Sequence, residues 1–235
     1  LNEGGFYKLR VHAENEARKR MRHSADDKDA KSNEKKYPGK NGEVSIDDIY
    51  RVLSEFLPKL DVERAKEEEF QAELKVCYAN PYMKRIYDAL VEKGKPIVLV
   101  SDMYWPSEYL EKLLKKCGYT GYYKLYVSCE CLCGKGSGKL QKKVSAELGK
   151  DKYVVHIGDN KASDIEASNK IGWDAVYYQA CGKIGKEFRK EISKSLGISV
   201  YNSLVNSHLH ADEQVFSADY EHGFRYAGLM TYGFC

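Results

Sequence analysis

A chain of 235 residues, 43% hydrophobic and 31% charged, holds enough apolar material for one generous domain and too much for a disordered polymer. Its 38 Lys+Arg against 35 Asp+Glu leave a formal charge of +3, which makes no electrostatic case for a nucleic-acid partner. The longest apolar stretch, around Pro96–Val100, is far short of the roughly 20 residues of a membrane span, no signal segment opens the chain, and seven Cys without a small disulfide scaffold fit a reducing cytoplasm.

Leu1 opens the chain without an initiator Met and Cys235 ends it inside an apolar-aromatic run, the pattern of a piece of a longer polypeptide. Phe6 to Arg20 carries Leu9, Val11, Ala13 and Ala17 among many charges, a solvated helix with a thin apolar stripe. His23 to Gly42 is almost wholly polar, with Pro-Gly and Asn-Gly steps, and reads as an exposed loop. Ser45 followed three residues later by Asp48 has the form of a capping box. The helix it opens is expected to bury Ile46, Ile49, Tyr50, Leu53 and Phe56. Asp61 to Tyr78 reads as a long amphipathic helix, and Pro81 starts another that runs to about Lys93.

At Gly94 the pattern changes. Pro96–Val100 is a short continuous apolar run, expected as a strand buried on both faces. Helix Pro106–Cys117, strand Tyr123–Ser128 and helix Gly138–Leu148 follow. A second buried strand at Tyr153–Ile157, a short helix Ser163–Ile171 and a strand Asp174–Tyr178 complete the alternation. Such alternation predicts right-handed crossovers, and so an α/β parallel sheet with helices on both faces and functional groups just past the strand C-termini.

Those strand ends carry polar residues of one kind. Ser101, followed by Asp102 and Met103, closes the first strand. Gly158-Asp159-Asn160 closes another, and Asp164 follows five residues after Asp159. A pair of hard carboxylate ligands suits Mg²⁺, which keeps waters and takes one or two carboxylates. Between them, Gly134-Lys135-Gly136-Ser137-Gly138-Lys139 precedes a helix with two ammonium groups able to reach an anion.

This set resembles the haloacid dehalogenase (HAD) superfamily of hydrolases. Ser101, then Lys135 or Lys139, then Gly158-Asp159 with Asp164 match its motifs in order. Ser101-Asp102-Met103-Tyr104-x-Pro106, the 135–140 segment and His156 to Asp164 look like a bacterial subgroup often found in larger proteins linked to glycosyltransferases and surface polysaccharide. The resemblance implies a Rossmann-like core over residues 94–200, with residues 1–93 as a helical cap and 201–235 the unassigned start of a further segment. It also implies cytoplasmic, Mg²⁺-dependent hydrolysis of a small phosphorylated metabolite through an aspartyl-phosphate. Ser101, with Asp102, Met103 and Asn160 beside the substrate, would bind the phosphate; Lys135 or Lys139, the former favoured, would neutralise charge; Asp159 and Asp164 would hold Mg²⁺.

The family's nucleophile, a buried strand ending in Asp-x-Asp ahead of the helical segment, has no counterpart in residues 1–10. Asp27-Lys28-Asp29 has the letters within a polar loop, and Asp102 is followed two residues later by Tyr104. Truncation just upstream of Leu1 is the simplest expectation, and the missing strand would lie between those ending at Ser101 and Asp159. Two rivals stand beside it. One is a non-catalytic HAD-like module that binds a phosphorylated ligand or scaffolds a glycosyltransferase domain of the same polypeptide; the other is a phosphotransferase that uses Asp102.

Cys129, Cys131 and Cys133 alternate as if on an extended segment, but C-x-C-x-C is not the spacing of a zinc ribbon, and chance enrichment is the preferred reading. His208-Leu209-His210 is equally weak as a metal site, and His156, inside a strand, reads as a core histidine. The 19 Tyr have no regular period and read as packing surface rather than a base-stacking platform.

Overall fold

A computed structural model describes residues 3–26, 43–149 and 151–178 of the chain. The capping box forms as the sequence predicts: Ser45 Oγ accepts the Asp48 N–H at 3.2 Å and Asp48 Oδ2 accepts the Ser45 N–H at 3.0 Å. It starts helix α2 (Ile46–Phe56), which lies on α1 (Glu3–Asp26). Ile46, Ile49, Tyr50 and Leu53 are buried, but Phe56 is 37% exposed and tilts against the His12 ring. At about 100° per residue Phe56 points between the buried Val52 and Ile49, so its exposure comes from its place as the last residue of α2 and not from its angle. Helix α3 (Val62–Val76) is capped by Asp61, whose side chain accepts the Arg64 N–H, and it buries Phe70.

The described residues form two parallel two-stranded sheets. Strand β1 (Val98–Ser101) pairs with β2 (Lys124–Val127), Ser101 opposite Val127. Strand β3 (Val155–Gly158) pairs with β4 (Asp174–Tyr177), Gly158 opposite Tyr177. Between β1 and β2 runs α5 (Ser107–Lys116); β2 passes directly into the single turn α6 (Ser128–Cys131), and α7 (Lys139–Leu148) leads to β3. The segment expected as one short helix at 163–171 is instead a π-helical turn, Lys161–Glu166, continued by α8 (Ala167–Lys170).

Successive residues of β2 face opposite cores, as the two-residue strand period requires. Val127 joins a core of Ala13, Ile49, Leu53, Phe70, Trp105 and Leu110 from the helices α1, α2, α3 and α5 and the loop after β1. Tyr126 joins Leu140, Val144 and Trp173, with Val98 and Val100 of β1 packed against them. The β1–β2 sheet is therefore covered by helices on both sides, although each β1 residue remains half-buried. The other sheet departs further from the expectation of strands buried on both faces. Val155 and Val176 are 48% and 50% exposed, because no element among the described residues covers their side. Nor does a ladder join the two sheets among the described residues, so the single sheet expected from the strand–helix alternation is not formed by them.

Two compact units result. One comprises residues 1–78 and 96–177, so α1–α3 share a unit with all four strands. The other comprises, among the described residues, 79–95 and Tyr178; in it α4 (Pro81–Glu92) is capped by Asn80, whose amide also donates to the Tyr178 hydroxyl at 2.8 Å, and Tyr82 stacks on Tyr178. The remaining expectations, the polar loop from 27 onwards, Asp27-Lys28-Asp29, His208 and His210, and the segments 179–200 and 201–235, lie outside the described residues.

A buried polar network ties α1 to α3. Arg10, only 7% exposed, makes a bidentate pair with Glu69 at 2.8 and 2.9 Å, donates to Glu14 at 3.3 Å and lies over the Tyr104 ring. Tyr50 donates its hydroxyl to the same Glu69 carboxylate at 2.7 Å, and burial with that hydrogen bond pushes the phenol well above its ordinary pKa. The Ser45→Ala variant, which removes the cap at the start of α2, is expected to lose about 1 kcal/mol of stability; equal urea midpoints for variant and wild type would show that the cap carries nothing.

Candidate functional site

The strand C-termini meet at one carboxylate. Asp164, in the π-helical turn, is 2% exposed. Its Oδ1 receives the Lys135 ammonium at 2.6 Å and lies 3.3 Å from His156 Nε2, while its Oδ2 accepts the Asn160 N–H at 3.0 Å. Burial alone would raise the pKa of this group. The hydrogen bonds from His156, Lys135 and the Asn160 backbone, with the Lys135 charge, outweigh it and hold the carboxyl far below the usual carboxylate range.

The local sequence builds this geometry. Asn160 caps the turn, its Oδ1 accepting the Ala162 and Ser163 N–H groups at 3.0 and 3.1 Å. The Asn160 carbonyl accepts from both Asp164 and Ile165, the second bond being the wider π-type closure. Gly158 supplies space rather than an unusual dihedral angle: a Cβ there would stand 2.4 Å from Asp164 Cγ and 2.5 Å from its Oδ2. The Gly before Asp159, expected to let the backbone turn, is thus what lets the Asp164 carboxylate pack against β3.

The β1 end reaches the same place through the 134–138 loop. Asp102, exposed and immediately after Ser101, accepts the Lys135 N–H on Oδ1 at 2.9 Å. Lys135 is therefore held by its backbone to the end of β1 and by its ammonium to the turn after β3. The structure separates the two candidate lysines: Lys135 joins the cluster, whereas Lys139 opens α7 with an exposed side chain and a charge that acts on the Cys133 thiol.

The other expected site residues fall around this centre. Ser101 is half-buried at the last position of β1, on the face shared with its partner Val127. The Met103 N–H, expected beside the substrate, donates to Ser128 Oγ at 3.1 Å, so Met103 is anchored to the fully buried first residue of α6. The Asn160 side chain is engaged in its cap. Asp159 is exposed one residue beyond β3. Among the described residues no group of three or more His, Cys, Asp and Glu is placed to hold a metal ion. Both Asp164 oxygens are engaged, Oδ1 by Lys135 and His156 and Oδ2 by the Asn160 N–H, while Asp159 stands exposed at the head of the turn that carries Asp164.

Sequence reasoning missed two contributors. His156, read as a core histidine, sits in β3 against Asp164; its position two residues before the Gly158-Asp159 pair was the available signal. Ser128, which holds the Met103 backbone, carried none. The cysteines expected on an extended segment lie on and after the α6 turn, and their thiols face different cores. Cys129 donates to the Trp105 carbonyl, and burial pushes its thiol up to about 12.

With the geometry in place, comparison adds nothing further: no protein-family model and no curated protein matches the chain.

The Gly158→Ala variant is expected to displace the Asp164 carboxylate and to cost about 1–3 kcal/mol; an unchanged urea midpoint would show that the close approach at Gly158 imposes no constraint. The depressed Asp164 pKa gives the acid limb of stability a definite sign. An unfolded Asp takes up its proton near pH 4 and the folded one only well below that, so the contribution is complete above about pH 4 and falls away as the pH drops further. Between pH 5 and 3 the urea midpoint of wild type is expected to fall more steeply than that of Asp164→Asn; parallel slopes would show that this carboxyl does not carry the acid sensitivity.

Proposed function

We propose that the chain is a Rossmann-like α/β hydrolase of the HAD type, a cytoplasmic Mg²⁺-dependent phosphatase acting on a small phosphorylated metabolite. The observation that carries this reading is the 2.6 Å Lys135–Asp164 pair, which brings a cation from the loop before α7 to a carboxylate beyond β3. Phosphoryl transfer needs this combination of positioned positive charge and hard oxygen ligands at one point.

In this reading the Ser101 hydroxyl holds a phosphoryl oxygen and the Lys135 ammonium balances the charge that gathers on the transferring group. Asp159, with Asp164, would hold Mg²⁺, and the ion when bound would shield the phosphate from the attacking carboxylate. His156 and Asn160 keep Asp164 ionised and oriented. The attacking carboxylate, a nucleophile that would form an aspartyl-phosphate, belongs on a strand between β1 and β3, each of which pairs on one side only among the described residues. The helices α1–α3 beside the β1 end form the layer that would select the substrate. Free thiols at Cys77, Cys117, Cys129, Cys131 and Cys133 suit a reducing compartment, and no helix among the described residues is long and apolar enough to cross a membrane. A glycosyltransferase domain in the same polypeptide is the proposed neighbour, on the sequence resemblance alone.

The alternative is a non-catalytic module that binds a phosphorylated ligand at the same cation, favoured by the absence of a strand ending in Asp-x-Asp among the described residues. The test is Mg²⁺-dependent hydrolysis of a panel of phosphomonoesters by the intact protein from its native source, alongside its N-terminal sequence. Turnover that disappears in Asp159→Asn is expected. Wild-type turnover in that variant would sink the metal assignment, and phosphate binding without turnover would establish the module.

A further inference from the structure

We propose that Asp102 is a positioning residue: its carboxylate fixes the loop that delivers the Lys135 ammonium to Asp164. The inference deepens the phosphatase reading and rests on it for the purpose of the site, while its geometry stands independently. Asp102 takes no part as nucleophile.

Three observations carry it. Asp102 Oδ1 is a hydrogen-bond acceptor for the Lys135 N–H at 2.9 Å, and it is Lys135 whose ammonium reaches Asp164. The loop lies against that same oxygen, which is 3.5 Å from where a Cβ on Gly134 would stand. The loop also closes on itself: Gly138, at φ +71°, donates its N–H to the Lys135 carbonyl at 2.8 Å, and Ser137 Oγ donates to the Gly134 carbonyl at 3.3 Å. A five-residue turn with two glycines beyond Gly134 has many conformations open to it, and an acceptor at one fixed backbone N–H selects among them. Because Asp102 follows Ser101 directly, one step of backbone sets both the hydroxyl and the ammonium of the proposed phosphate site.

This role requires an acceptor oxygen and not a negative charge. Asparagine keeps the acceptor; a nucleophile or a metal ligand could not make that exchange without loss. The experiment compares wild type, Asp102→Asn, Asp102→Ala and Lys135→Ala, each ¹⁵N-labelled and checked by thermal melting. Two quantities are read: amide hydrogen exchange at residue 135, and the amide shift of Asn160, whose N–H donates to Asp164 Oδ2. Asp102→Ala is expected to speed exchange at residue 135 about tenfold and to move the Asn160 amide in the same direction as Lys135→Ala. Asp102→Asn is expected to leave both at their wild-type values. Asp102 is exposed, so its substitutions open no core cavity; Asp102→Thr replaces the alanine variant should that one fail to fold.

The same variants are titrated with inorganic phosphate in the presence of Mg²⁺. Affinity retained in Asp102→Asn and lowered about tenfold in Asp102→Ala, with no further loss in the Asp102→Ala, Lys135→Ala double variant, supports action through Lys135. Loss in Asp102→Asn equal to that in Asp102→Ala shows that the charge itself is used and overturns the proposal, as does an Asn160 amide that responds to Lys135→Ala and not to Asp102→Ala. Wild type that binds no phosphate, with the Asn160 pattern as expected, overturns the phosphatase reading and leaves the positioning role standing.

Discussion

A carboxylate removed from water must be matched by donors or it forces the fold apart, and Asp164 is the place where this chain meets that demand. Its three donors come from separate stretches: Lys135 from the loop before α7, His156 from within β3, and the Asn160 N–H from the head of the π-helical turn. Each brings a requirement of its own. The Asn160 contact needs a tight turn after β3, the Lys135 contact needs a loop of defined shape, and that shape needs Asp102 at the end of β1. The arrangement at the strand ends is less a set of independent ligands than one charge and the structure needed to keep it.

The helical layer is organised by a second buried charge, Arg10, and it touches the first arrangement through the stretch that follows β1. Tyr104 lies beneath the Arg10 guanidinium, and its carbonyl accepts the Ile46 N–H at 2.8 Å, where the capping box begins α2. The next residue, Trp105, is fully buried among Phe70, Leu110 and Val127 and donates its indole N–H to Glu73 of α3 at 3.0 Å. Four residues after Ser101 the chain is thus fixed to three helices, which leaves the β1 end little freedom. Lys116 adds a tie at the far end of α3, where its ammonium caps the carbonyls of Leu74, Lys75 and Cys77.

How much of this could be read from the letters follows from the range over which each interaction acts. The capping box, the helix frames and the four strands were legible because they depend on neighbours within a few residues, and the apolar runs near Val100 and Ile157 announced the strands whose ends matter. Of the candidates in 101–104, 135–140 and 156–164, the fold links Asp102, Lys135, Asn160 and Asp164 by hydrogen bonds, while Lys139 stands exposed at the start of α7. What stayed hidden depends on distant partners. The place of His156 two residues before Gly158-Asp159 hinted at the site but not at its contact with Asp164, and no local pattern shows that Ser128 holds Met103 or that Val155 and Val176 stay exposed among the described residues. Phe56 failed in a small way for the same reason: periodicity marks a stripe but not where the neighbouring helix stops covering it.

The close approach at Gly158 has a consequence for how sequences of this kind can vary. Since the hydrogen on its Cα occupies the only space left by the Asp164 side chain, positions 158 and 164 constrain one another sterically. An atom added at 158 would meet the Asp164 Cβ at 2.5 Å as well as its carboxylate, so removing the acid alone makes no room there. What glycine accommodates is the path of the turn itself, and a larger residue at 158 could enter only if the turn moved away from β3.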